Sequence, residues 1–134
     1  MQKHLAVKSF YDKIDKIAVV GLGYVGLPLA AHLSHHFPVI GYDNNETNVA
    51  ELKKGHDRTM ELSAAELQKA NIHFTSNPAQ LAQCRLFIVT VPTPVDHFHV
   101  PDLTAMENAS AIIGRHIAAG SCVVYESTVY PGVT

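Results

Sequence analysis

One stretch limits what this chain can fold into more than any other: Lys16-Ile-Ala-Val-Val-Gly21-Leu-Gly23-Tyr-Val-Gly26-Leu-Pro-Leu-Ala-Ala31. A short apolar run gives way to three glycines spaced G-x-G-x-x-G, and an apolar helical pattern comes next. Gly21 lets the chain leave a strand in a tight turn. Gly23, with no side chain, lets a phosphate group approach the backbone, and Gly26 lets the new helix pack closely on the strand. A helix that starts there aims unpaired N–H groups and a partial positive charge at the phosphate. Glycine turns are common, and it is the position between strand and helix that gives this spacing meaning.

The rest of the chain repeats the strand–helix alternation. The first strand, about Ile17 to Val20, has no polar residue, which suits a parallel strand covered on both faces. A helix follows from about Val25 to His35, with Leu29, Leu33 and Ala30 on one stripe. Pro38 to Tyr42 reads as the second strand. Residues 44–54 form a helix with Val49 and Leu52 inward, stopped by Gly55. After the loop His56-Asp57-Arg58-Thr59, Ser63-Ala-Ala-Glu66 is a capping box opening a helix through Ala70. Ile72 to Phe74 is a third strand, and Pro78 opens a small helix to about Gln83. Leu86 to Val91 is a buried fourth strand. A helix from Asp102-Leu-Thr to about Ile117 carries Ala105, Ala109, Ile112, Ile113 and His116 near one face, and Ser121 to Tyr125 is a fifth strand. The pattern predicts an α/β fold: a Rossmann-type doubly wound parallel sheet in the order 3-2-1-4-5, with helices on both faces. Residues 1–15 read as an arm or short helix ahead of a domain over residues 16–134.

Asp43 closes the second strand at about the 20-residue spacing expected of the acidic residue that binds an adenosine ribose. Its carboxylate accepts ribose hydroxyls and repels a 2′-phosphate. Asn44 and Asn45 bring no cation to that phosphate, so the predicted cofactor is NAD rather than NADP. The competing reading makes Asp43 a cap for the next helix.

Ligands of open α/β sheets lie outside the carboxyl ends of the strands. Two more segments therefore face the same crevice. Pro92-Thr93-Pro94 leaves the fourth strand extended. Ser127 and Thr128 come after the fifth, where their hydroxyls suit nicotinamide, phosphate or substrate, or simply a cap and turn.

Composition narrows the partners. A net charge of −2 and the lack of a basic run argue against nucleic acid. No apolar run approaches a membrane span, and Met1-Gln-Lys-His-Leu lacks the apolar core of a signal peptide. Cys84 and Cys122 do not make a disulfide framework, so a cytoplasmic location is expected. His97-Phe-His99 reads as a solvated loop rather than a metal pair, and no metal is expected.

Gly21-Leu-Gly-Tyr-Val-Gly-Leu-Pro28, Val91-Pro-Thr-Pro94 and Glu126-Ser-Thr-Val-Tyr-Pro-Gly132, in that order, resemble the UDP-glucose/GDP-mannose dehydrogenase family. The likeness is strongest to the branch that oxidises UDP-N-acetyl-hexosamines for cell-surface polysaccharides. The resemblance implies an NAD-dependent oxidation of a sugar C6 alcohol to the uronic acid with two NAD. It implies that Gly21, Leu22, Gly23, Tyr24, Val25 and Gly26 hold the pyrophosphate and Asp43 the ribose. Val91, Pro92 and Thr93 would line the cofactor, and Ser127 and Thr128 would lie near nicotinamide, with Thr128 helping to position a catalytic water. Relatives often carry a basic residue where Asn48 stands, so a weaker or water-mediated contact is expected there. The family's cysteine nucleophile, in a Gly-Gly-x-Cys segment, has no counterpart in these residues; Cys84 and Cys122 read as packing residues. The chain is thus expected to be the cofactor domain of a longer, homodimeric enzyme that acts on a UDP-sugar, and to be inactive alone. Two other classes compete: a stand-alone NAD(H)-sensing module, and the cofactor domain of a different dehydrogenase, such as a 2-hydroxyacid or 3-hydroxyacyl type.

Overall fold

The structure, a computed structural model, describes residues 7–133. Residues 1–6 of the predicted arm and Thr134 at the end of the predicted domain lie outside the described residues. The elements run α1 (Val7–Tyr11), β1 (Lys16–Val20), α2 (Gly26–Ser34), β2 (Val39–Tyr42), α3 (Glu46–Lys53), α4 (Ala64–Lys69), β3 (Ile72–Thr75), a 3-10 helix (Pro78–Gln83), β4 (Cys84–Val89), α5 (Thr104–His116) and β5 (Cys122–Tyr125).

All strand pairs are parallel, and the order is β3-β2-β1-β4-β5, as the alternation predicts. The register aligns the strand ends. Val20 lies opposite Tyr42 and Val89, Tyr42 opposite Thr75, and Val89 opposite Tyr125. Five strands therefore stop on one rim, and the segment after each strand emerges there. β4 ends at Val89, two residues short of the predicted Val91, because its neighbours end at the same level. Thr90 makes one last N–H bond to the Val20 carbonyl (2.9 Å) before the chain leaves.

The period-two alternation of a strand sorts the core into two layers. Ala18 and Val20 of β1, with Ile40, Phe87 and Val89, pack towards Leu81, Ala109 and Ile113 on one face. Val19, with Val39 and Phe74, packs towards Leu27, Ala30, Val49, Leu52 and Leu67 on the other. Val49 and Leu52 point inward as predicted. The buried stripe of α2 departs from expectation: Gly26, Leu27, Ala30, Ala31 and Ser34 are buried, while Leu29 and Leu33 are only half-buried. Gly26, pressed onto the preceding turn, sets the rotation of this short helix and brings the small residues inward. Met106 of α5 is likewise buried, in addition to the predicted Ala109 and Ile113. Among the described residues no helix is long and apolar enough to cross a membrane.

Candidate dinucleotide-binding site

The rim over β1, β2 and β4 opens into a crevice of about 400 Å³. Its floor is the glycine turn. Gly21 has φ +100°, a conformation that side chains disfavour. Gly26 is held in tighter confinement: a Cβ there would stand 1.8 Å from the Gly21 carbonyl oxygen and 2.4 Å from Thr90 Oγ1. Gly23 is the opposite case, with nothing within 4 Å of a Cβ position, so the space above its backbone is open to a phosphate. The helix that begins here is uncapped. Val25 at its N-cap offers no side-chain acceptor, whereas Asn45, Ser63 and Asn77 all cap their helices. Thr90, which no sequence motif singles out, locks the turn: its hydroxyl donates to the Gly21 carbonyl at 2.7 Å, with the Val20 carbonyl at 3.2 Å. Its only signal in the sequence is one hydroxyl in the apolar run that leads to Pro92.

Asp43 is the second component. It does not cap α3, a task taken by Asn45, whose side chain accepts from the Asn48 N–H at 3.0 Å. Instead Oδ2 accepts from the Leu22 N–H at 3.1 Å, tying the carboxylate to the glycine turn, and Oδ1 accepts from the Asn45 N–H at 2.9 Å. Asn48 turns its amide onto Asp43 Oδ2 (3.2 Å), with the Leu22 carbonyl at 3.5 Å. With two donors already on Oδ2 and one on Oδ1, the open acceptor capacity lies on Oδ1. The residues present thus fit a dinucleotide: an open approach over Gly23, an uncapped helix start, and an oriented carboxylate beside both.

The outer wall comes from the loop after α3, and here the structure corrects an expectation. The neighbours of Asp43 in sequence bring no cation, but its neighbours in space do, since Arg58 and Thr59 line the crevice with Asp43, Asn45 and Asn48. The loop folds back because Gly55 (φ +82°) ends α3 and Asp57 gathers residues 59–62 around its carboxylate. Asp57 is buried, and it accepts from the Thr59 N–H (2.8 Å) and hydroxyl (2.7 Å) and from the Glu61 (3.0 Å) and Leu62 (2.9 Å) N–H groups. Burial alone would raise its pKa, but the hydrogen bonds from Leu62, Thr59 and Glu61 outweigh it and hold the carboxyl below its ordinary value. Arg58 hydrogen-bonds Glu51 through Nε, and through Nη2 at 3.2 Å. That pairing, more than the nearby charge of Asp43, raises the guanidinium's pKa.

Asp57→Asn is expected to destabilise the fold by about 1–3 kcal/mol near neutral pH, because an amide sets donors against backbone donors. A carboxyl with a lowered folded pKa stabilises above its unfolded value of about 3.9, and the contribution fades as pH falls through the folded value. Urea titrations should therefore show the gap between parent and variant closing below about pH 4; a gap independent of pH would refute the role.

At the other end of the crevice, Val91 and Pro92 line the cavity with Gly21, Leu22 and Gly23, and α5 adds Ala105, Asn108, Ala109 and Ile112. Tyr24, Val25, Gly26, Thr93, Ser127 and Thr128 do not line it. Gly26 lies behind the turn, while Tyr24 and Val25 project outward, 70% and 59% exposed. Thr93, Ser127 and Thr128 form a separate cluster. The Ser127 hydroxyl donates to the Val91 carbonyl (2.9 Å), and the Thr93 hydroxyl donates to the Thr128 carbonyl (2.9 Å). Cys84 is buried in the core, where burial pushes its thiol up to about 12, and it has no access to the crevice. Among the described residues no group of three or more His, Cys, Asp or Glu is set to hold a metal ion.

Comparison with known proteins adds to this geometry. The chain is 52% identical over 120 residues to UDP-N-acetyl-D-glucosamine 6-dehydrogenase of Pseudomonas aeruginosa, covering 89% of this chain and 28% of that protein. It is 48% identical over 118 residues to Protein CapL of Staphylococcus aureus, covering 88% and 28%. Among solved structures, UDP-D-ManNAc dehydrogenase from Pyrococcus horikoshii superposes with a TM-score of 0.83 at 30% identity, over 89% of this chain and 30% of that one. The chain thus spans under a third of the length of these three relatives. The profile of one family covers residues 15–134, which include every residue of the crevice, and the chain belongs to that family, the UDP-glucose/GDP-mannose dehydrogenase family, as its NAD binding domain.

Proposed function

We propose that this crevice holds NAD, with the adenosine ribose on Asp43 and the pyrophosphate over Gly23 at the start of α2. The observation that carries the reading is the hydrogen bond from the Leu22 N–H to Asp43, which joins the turn and the ribose carboxylate into one preset unit. Val91 and Pro92 continue the surface towards nicotinamide. Thr93, Ser127 and Thr128 lie beyond them, and Thr128 is the residue we assign to positioning water. In a longer protein, residues 16–134 would be the cofactor domain of a nucleotide-sugar 6-dehydrogenase acting on a UDP-N-acetyl-hexosamine. The Pseudomonas and Pyrococcus relatives support that substrate class. NAD, when bound, accepts hydride as the C6 alcohol is taken to the uronic acid. The residues of this chain bind and orient the cofactor, and the carbon chemistry falls to groups outside them. A cytoplasmic location and a homodimeric full-length protein complete the reading.

Titration calorimetry tests it. NAD should bind with 1:1 stoichiometry, and NADP at least about tenfold more weakly, because Asp43 opposes a 2′-phosphate. NADP binding as tight as NAD would sink the assignment of Asp43, and no heat with either nucleotide would sink the site.

A further inference from the structure

The outer wall carries a cation that NAD binding does not use. Arg58 lines the crevice with Asp43, Asn45 and Asn48, on the side to which the proposed reading assigns the ribose, and it is close enough to feel the charge of Asp43. A free guanidinium beside a ribose is the usual means of holding a phosphate, through two parallel N–H bonds from its planar fork. This one is not free. Its Nε and Nη2 edge is taken by the Glu51 carboxylate. Glu51 lies three residues after Asn48 on α3, so both side chains fall on the same side of that helix. The backbone around Arg58 is held on its C-terminal side, where Thr59, Glu61 and Leu62 all donate to the Asp57 carboxylate.

We propose that Glu51 and Arg58 form a specificity device at the ribose: Glu51 masks a guanidinium that would otherwise accept a 2′-phosphate, and so reinforces the choice of NAD that Asp43 makes directly. The proposal rests on the reading that the adenosine end of NAD occupies this crevice. Asp43 acts by repulsion of the phosphate. Glu51 acts through Arg58, by neutralising its charge and filling the edge that a phosphate would use. Arg58 in its masked state forms a neutral wall, and its Nη1 has no hydrogen-bond partner among the described residues.

Glu51→Gln, Arg58→Gln and the double variant test the device in the 134-residue chain, with NAD and NADP as the titrants and circular dichroism as the check on folding. Glu51→Gln should lower the NAD-to-NADP affinity ratio about tenfold, the scale of one charge-assisted hydrogen bond gained by the phosphate. The gain should shrink between 50 mM and 500 mM salt, because both side chains are partly exposed. Arg58→Gln in the same background should return the ratio to the parent value. An unchanged ratio in Glu51→Gln would overturn the proposal, as would a gain that survives loss of Arg58. Binding of NAD by the parent with no effect in the variants refutes the device alone. Failure of the parent to bind either nucleotide refutes both the device and the functional reading.

Discussion

Gly26→Ala should cost this protein its fold. One added methyl would stand 1.8 Å from the Gly21 carbonyl oxygen and 2.4 Å from Thr90 Oγ1, well inside contact distance. Both obstacles are held in place. The Gly21 carbonyl accepts from Thr90, and the Gly21 N–H donates to the Tyr42 carbonyl at 2.8 Å, so the turn is pinned to β2 and to the exit of β4. Alanine is the better helix former by about 1 kcal/mol, but over-packing a rigid site costs about 1–3 kcal/mol or more, and here the clash is with backbone. We expect a net loss of at least about 3 kcal/mol, from a total that for such domains is about 5–15 kcal/mol. Thermal melts followed by circular dichroism should show Tm lowered by roughly 10 °C or more, or no cooperative transition. A Tm within about 2 °C of the parent would mean that the turn yields, and the packing argument would fail.

Gly23→Val, three residues earlier, should do the reverse. Nothing lies within 4 Å of a Cβ at this position, so the folded protein has room for the side chain. Stability should stay within about 0.5 kcal/mol of the parent, as for surface positions generally. The valine would occupy the space over the turn through which a pyrophosphate must come. NAD affinity should fall at least about 100-fold, or about 2.7 kcal/mol. Retained affinity in a folded variant would place the pyrophosphate elsewhere. The pair separates two functions that the glycine spacing merges: one glycine is demanded by the protein's own packing, the other by its ligand.

How much of this site is legible in the sequence depends on the range over which each feature acts. The five strands, the capping box at Ser63 and the sheet order follow from local patterns and are found, with β4 shifted by two residues to Cys84–Val89. The place of Asp43 beside the glycine turn is legible because its spacing from the glycines is fixed by one strand–helix–strand unit. Thr90, Asn48, Asp57 and Arg58 are not, because their roles exist only after folding. Thr90 is one hydroxyl at the end of a buried strand until β1 delivers the Gly21 carbonyl beside it. Asn48 reads as a missing cation in sequence, and its amide proves to be committed to Asp43. Arg58 reads as part of a featureless loop. A local sign does exist in that loop: a glycine, an aspartate and a threonine at Gly55, Asp57 and Thr59, the makings of a side-chain-closed turn. Nothing local says that the turn brings Arg58 back to the crevice beside Asp43. The stripe of α2 is misplaced by the hydrophobic pattern for a related reason, since the contact that rotates the helix is between Gly26 and a turn, not between hydrophobic side chains.

The two hydroxyl bonds between the exits of β4 and β5 have a mechanical consequence. Ser127 reaches across to Val91, and Thr93 reaches back to Thr128, so each segment both gives and receives. Sliding one past the other breaks both bonds at once. The two exits therefore resist shear as a single piece, just beyond the part of the crevice wall made by Val91 and Pro92. Val91 is both a partner in that clasp and part of the crevice wall, so a ligand resting on it would bear on the exits of two strands at once.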